Sequence, residues 1–180
     1  RGNFECTLSL IITCPRNLEK KATEEIFEFV KEIGSIKPDI IDINLSGIFM
    51  INTDIDPDEF IEKFKQKIND EPWSIRYCSR LIPIQAVVKS ELDLIRKDIT
   101  KMLHVIKSDH TFRITVENRN SSLSTNDIIL EIGNIIPNKV SLENPDWEIL
   151  VEILGDKTGL SVLPKNSILS VQKTKRDSSD

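Results

Sequence analysis

Thr111-Phe112-Arg113-Ile114-Thr115-Val116-Glu117-Asn118-Arg119-Asn120 alternates apolar and polar side chains, and Ser124 with Asp127 just beyond it carries the signature of a helix start. On a strand of period two, Phe112, Ile114 and Val116 share one face, while Arg113, Thr115 and Glu117 share the other. The first face belongs to a core. The helix that follows draws its apolar side from Ile128, Ile129, Ile132, Ile135 and Ile136, and Pro137 ends it. Upstream, Ser90 with Asp93 repeats the capping pattern ahead of Leu92, Ile95, Ile99, Leu103 and Ile106, which predicts a second helix. Downstream, strands are expected at 140–142, 149–154 and 160–163, separated by the turn chemistry of Glu143-Asn144-Pro145-Asp146 and Gly155-Asp156-Lys157-Thr158-Gly159. These elements make one α/β unit.

The residues before it make another. A β-branched apolar run at 8–13 stops at Pro15 and predicts a buried strand. Ala22, Ile26, Phe29, Val30 and Ile33 then fall at helical spacing from Leu18, with Gly34 placed to cap the end. Two β-like runs at 40–45 and 48–52 flank the turn pair Ser46-Gly47. Asp56, Pro57 and Glu59 start a second helix with Phe60, Ile61, Phe64 and Ile68 on its apolar face, and a strand is expected at 75–82, ended by Pro83. Strand, helix, strand, strand, helix, strand is the ferredoxin-like order, an antiparallel sheet with helices on one face. The fold class is therefore α/β (α+β): a ferredoxin-like domain at 1–83, a second α/β domain at 84–172, and a polar tail at 173–180 expected to fray.

Composition narrows the function. The 180 residues carry 24 Lys and Arg against 29 Asp and Glu, a formal charge of −5, and 39 % are hydrophobic. The six glycines are scattered, so neither a dinucleotide fingerprint nor a phosphate-cradling loop is present, and no cofactor is expected. Cys6, Cys14 and Cys78 form no CxxC pair and read as small buried hydrophobes in a reducing cytosol. No apolar run approaches the roughly 20 residues that cross a bilayer, so the expected location is cytoplasmic, without a membrane partner. The start at Arg1-Gly2 suggests a trimmed terminus, and the hydrophilic end argues against a missing domain. Charge is uneven: residues 1–75 hold 9 basic and 15 acidic side chains, whereas 76–119 hold 9 and 5, so a polyanion is expected on the second half.

Catalytic chemistry finds little support. His104 late in a helix and His110 in a loop have no nucleophile or metal-ligand setting, and the run Asp54-Ile55-Asp56-Pro57-Asp58-Glu59 is explained by helix-start chemistry rather than calcium. No small-molecule substrate is expected. Asn118, Arg119 and Asn120 lie at the N-terminus of the next helix, where backbone N–H and guanidinium groups can hold phosphate.

Phe112-Arg113-Ile114, Asn118-Arg119, Asp127-Ile128, then Lys139-Val140-Ser141-Leu142-Glu143-Asn144-Pro145-Asp146, and finally Gly159-Leu160-Ser161-Val162 together resemble a THUMP domain. The resemblance covers roughly residues 84–171, and a ferredoxin-like unit is the usual companion of such domains. It implies binding of RNA, chiefly tRNA, at the acceptor stem and 3′ end, with the chemistry carried by another domain or another protein. The run Arg76-Tyr77-Cys78-Ser79-Arg80-Leu81-Ile82-Pro83-Ile84 is similar to stand-alone members that cooperate with an RNA cytidine acetyltransferase to make N4-acetylcytidine in tRNA. The expected contacts are Arg113, Arg119, Lys139 and Lys165, with Asn118 beside Arg119 and with Arg76 and Arg80 extending the grip. Family members often carry two adjacent basic residues after this strand, whereas here Arg119 stands between asparagines. Two alternatives stay open: an RNA-binding fragment of a larger tRNA methyltransferase or thiouridine synthetase, and a module whose acidic first half docks on the modifying enzyme.

Overall fold

The computed structural model describes residues 9–41 and 43–179, arranged as two units: one extends to Pro83 and regains the chain from Ser167, the other is Ile84–Asn166. In the first, strand β1 (Ser9–Thr13), helix α1 (Glu19–Glu32), strands β2 (Asp39–Ile41) and β3 (Ile48–Asn52), helix α2 (Pro57–Asp70) and strand β4 (Arg80–Ile84) follow the expected order. The sheet runs β2-β3-β1-β4, the ferredoxin-like arrangement, with β9 (Leu169–Ser170) added beside β4. Leu10, Ile12, Phe49 and Ile51 pack with Ile26, Phe29, Phe60, Phe64 and Ile68 of the helices. Ile11, Met50 and Ile82 point the other way and are also buried, which is why these strands read as continuous apolar runs.

Local chemistry explains the boundaries. Asp56 caps α2 by accepting from the N–H groups of Asp58 and Glu59. Gly34, at φ +72°, ends α1 with its N–H on the Lys31 carbonyl. Gly47 is wedged at the β2–β3 turn: its N–H donates to Glu19 Oε1 at 2.7 Å, its carbonyl accepts from Cys14 N–H at 2.9 Å, and φ is +75°. A Cβ there would sit 2.9 Å from the Cys14 carbonyl oxygen.

In the second unit, strand β5 (Ala86–Lys89), helix α3 (Leu92–Met102), strand β6 (Phe112–Arg119), helix α4 (Thr125–Asn134) and strands β7 (Trp147–Leu154) and β8 (Lys157–Pro164) build a sheet of order β5-β8-β7-β6. β6 pairs parallel with β7, and the β7–β8 and β8–β5 pairs are antiparallel. Phe112, Ile149, Val151, Leu160 and Val162 meet Ile95 and Ile99 of α3 and Ile128 and Ile132 of α4.

Six expectations change, the first being that the strand expected at 40–45 spans only Asp39–Ile41. The strand expected at 75–82 begins only at Arg80, because Pro72–Ser74 is a 3-10 turn and the Glu25 carboxylate accepts the N–H groups of Arg76, Tyr77 and Cys78 in place of a ladder. Ser90 is not a cap: its hydroxyl bonds that of Thr158 at 2.8 Å, and Glu91 starts α3. β5 was not expected, since four residues after a proline carry little pattern. At 140–142 there is one bridge, Val140 to Phe112, rather than a strand. The end of the chain is no frayed tail. Ser170 caps helix α5 (Val171–Asp177), whose Val171 and Thr174 are buried against the first unit, so the second unit stops at Asn166 rather than 172. Cys6, Leu8, Asp42 and Asp180 lie outside the described residues. No helix among the described residues is long and apolar enough to cross a membrane.

Candidate nucleic-acid interface

β6 divides its side chains as its pattern predicts: Phe112, Ile114 and Val116 join the helix-covered core. Arg113, Thr115, Glu117 and Arg119 take the opposite face, beside Glu148 and Glu152 of β7. Arg113 lies in register with Glu148 and pairs with it at 3.2 Å, while its Nη1 donates to the Leu142 carbonyl at 2.8 Å. Thr115 adds a hydroxyl bond to the same carboxylate at 2.8 Å. Arg113 Nε is buried without a hydrogen-bond partner. Arg119 reaches the Glu152 carboxylate, whose side chain is 1 % exposed. Of the four arginines expected to grip phosphate, the two on β6 are therefore engaged by carboxylates of the neighbouring strand.

Asn118 is engaged too: its amide N–H groups donate to the carbonyls of Ser121 and Leu123 at 3.2 and 2.9 Å and shape the loop into α4. Asn120 turns that loop at φ +60°, and Ser124 caps α4 through Asp127 N–H. Lys139 and Lys165 are exposed. Both sit at the opening end of β6, where the Lys139 carbonyl accepts from Phe112 N–H and Lys165 N–H donates to Asp146. Eight residues of strand, about 23 Å from Phe112 to Arg119, separate them from Asn118 and Arg119, so Lys139, Lys165 and Arg113 form one group. Arg76 and Arg80 belong to the first unit; Arg76 is exposed and Arg80, opposite Ser170 on β4, is half-buried.

A polar network that the sequence did not reveal fixes the lysine end. Asp146 accepts from the N–H and hydroxyl of Thr111, at 2.8 and 3.1 Å, and this holds its carboxyl below the usual range. His110 Nδ1 accepts from Trp147 Nε1 at 2.9 Å and Lys107 N–H at 3.2 Å, so the neutral ring carries its proton on Nε2. Asn138 ties the carbonyls of Lys107 and His110, bringing exposed Lys107 to the same end. Lys107 carried no signal in sequence, being one charge in a polar loop.

Burial pushes the Cys14 thiol up to about 11 and raises that of Cys78, so both are thiols rather than nucleophilic thiolates at neutral pH. Among the described residues, no group of three or more His, Cys, Asp and Glu side chains could hold a metal ion.

A four-stranded mixed sheet with two helices on one face, following a ferredoxin-like unit, defines the class of architecture. Residues 90–163, most of the second unit, match the THUMP domain. An uncharacterized protein of Methanocaldococcus jannaschii is 25 % identical over 176 residues, 94 % of this chain and 45 % of that one. THUMP domain-containing protein 1 of Mus musculus is 25 % identical over 82 % of this chain and 50 % of its own. The chain thus spans about half the length of these relatives. A solved Pyrococcus horikoshii structure aligns with 90 % of this chain and 54 % of its own at TM-score 0.64 and 17 % identity. A 4-thiouridine synthetase solved with RNA and ATP aligns with 90 % and 42 % at TM-score 0.55 and 14 % identity. Those two likenesses are of fold.

Proposed function

We propose that the chain binds tRNA without catalysing a reaction and presents it, by the acceptor stem and 3′ end, to a separate RNA cytidine acetyltransferase that forms N4-acetylcytidine. The observation that carries the RNA-binding part is the THUMP domain at 90–163, the fold of which recurs in a protein solved with RNA. The resemblance of residues 76–84 to stand-alone members motivates the acetyltransferase. The second unit holds 10 Lys and Arg against 12 Asp and Glu, so binding rests on local arrangement rather than bulk charge. Lys107, Lys139 and Lys165 are exposed cations at the opening end of β6, and Arg76 is an exposed cation of the first unit. Such contacts hold a folded RNA by shape and phosphates.

The test combines anisotropy with reconstitution. Intact tRNA is expected to bind more tightly than tRNA lacking its 3′ terminal nucleotides, with affinity falling as salt rises. An RNA cytidine acetyltransferase is expected to acetylate tRNA faster when the chain is added. Salt-independent binding refutes the phosphate grip, and an unchanged acetylation rate refutes the partner. The exposed stripe Glu24, Glu28 and Glu32 along α1 favours a second reading, in which the first unit docks on the enzyme.

A further inference from the structure

Trp73 is 72 % exposed, although an indole is among the costliest side chains to leave in water. It is not on a loose loop. The 3-10 turn Pro72–Ser74 is closed by Ser74, whose N–H and hydroxyl both donate to the Glu71 carbonyl at 2.9 and 2.7 Å. The next residues are pinned by Glu25, which accepts the N–H groups of Arg76, Tyr77 and Cys78 at 2.7 to 3.2 Å. The ring is thus displayed on a rigid turn.

Cations converge there from three parts of the chain. Lys175 on α5 donates to the Ile75 carbonyl at 2.6 Å, which brings the basic last helix, with exposed Arg176, to this turn. Lys21 on α1 lies 5.3 Å from the centre of the Tyr77 ring. Arg76 is exposed between them. None of Lys21, Arg76, Lys175 and Arg176 is ion-paired among the described residues. The carboxylates of this turn are otherwise engaged, Glu25 by backbone N–H groups and Glu71 by Lys67.

We propose that this surface of the first unit binds a single-stranded RNA segment, with Trp73 stacking on a base while Arg76, Lys175 and Arg176 hold the adjoining phosphates. An exposed aromatic on a hydrogen-bonded turn, with cations outside any ion pair near it, is the arrangement that suits single strands, since every base offers a π face and a duplex hides it. Glu24, Glu28 and Glu32 line one cleft together with Lys21 and Arg76 and repel phosphate there, so the strand is assigned to Trp73 and to the cations outside that cleft, Lys175 and Arg176, with Arg76 between the two. The proposal rests on the RNA-binding reading above and adds a site outside the THUMP domain.

The full chain is titrated with labelled tRNA, with a single-stranded RNA of about ten nucleotides, and with a blunt duplex of equal length. Trp73→Ala is expected to weaken the single strand about tenfold, Trp73→Phe to recover most of the loss, and neither to change duplex binding. Indole emission is expected to be quenched by the single strand in the unaltered protein and not in Trp73→Phe. If the chain binds tRNA and Trp73→Ala binds the single strand equally well, this site is overturned while the tRNA reading stands, and Trp73 becomes an anchor for a protein partner. Equal weakening toward the duplex also overturns it. If the unaltered chain binds no RNA at low salt, both readings fall together.

Discussion

Replacing Arg119 with alanine separates a structural from an RNA-gripping arginine. Its guanidinium meets Glu152, whose side chain is 1 % exposed, whereas Arg119 itself is 28 % exposed. Removing one partner of a fully buried pair costs about 3–5 kcal/mol, chiefly because the remaining charge stays desolvated. Since water reaches part of Arg119, the expected loss is the smaller figure of about 2–3 kcal/mol. For a unit of this size that lowers Tm on the order of 10 °C. Glu152→Gln in the Arg119→Ala background removes the buried charge while keeping its shape, and is expected to restore part of the loss. Urea unfolding followed by circular dichroism measures both, and the double-mutant cycle isolates the coupling. Folded Arg119→Ala is expected to bind tRNA with unchanged affinity and salt slope. A phosphate ligand behaves oppositely, weakening binding to every RNA and lowering the salt slope by about one when removed. The reasoning fails if Arg119→Ala unfolds like the unaltered protein and loses RNA affinity with a reduced slope, because the guanidinium would then leave Glu152 for a phosphate.

Three further outcomes follow from particular contacts. Gly47→Ala is expected to cost at least about 1–3 kcal/mol by urea unfolding, since φ is +75° and the new methyl meets the Cys14 carbonyl at 2.9 Å. Asp146, held below its ordinary value of 3.8 mainly by Thr111 N–H, contributes stability above that value and loses it as pH falls through its lowered one. Asp146→Ala should therefore melt lower at pH 7, and the gap from the unaltered protein is expected to narrow as pH falls below that ordinary value; a gap that stays the same from neutral to acid pH refutes this. Lys139→Ala with Lys165→Ala is expected to leave Tm unchanged and reduce the salt dependence of tRNA binding, and an unaltered slope removes them from the grip.

Element order was legible in the sequence wherever one residue's own chemistry sets the boundary. Asp56 and Ser124 cap the helices they were expected to cap, and Gly34 ends the helix before it, because the side chain or the left-handed backbone acts within three or four residues. Ser90 has the same local pattern and misleads, since Thr158, distant in sequence, takes its hydroxyl. The strand expected at 75–82 fails for a similar reason: Glu25, some fifty residues upstream, supplies the acceptors that a ladder would have supplied.

The same distinction governs the interface. A charge count over 76–119 makes this stretch basic, yet the carboxylates that engage two of its arginines, Glu148 and Glu152, lie outside the window and arrive only through the parallel pairing of β6 with β7. Conversely, Lys175 and Arg176 read in sequence as a solvated tail, whereas α5 is part of the first unit and its Lys175 reaches the carbonyl of Ile75, next to Arg76. A linear sum of charge therefore measures neither the cations that are free nor those that converge. What decides availability to a phosphate is which carboxylate the sheet register places opposite an arginine, as Glu148 to Arg113, or diagonal to it, as Glu152 to Arg119, and that follows from topology rather than from neighbouring residues.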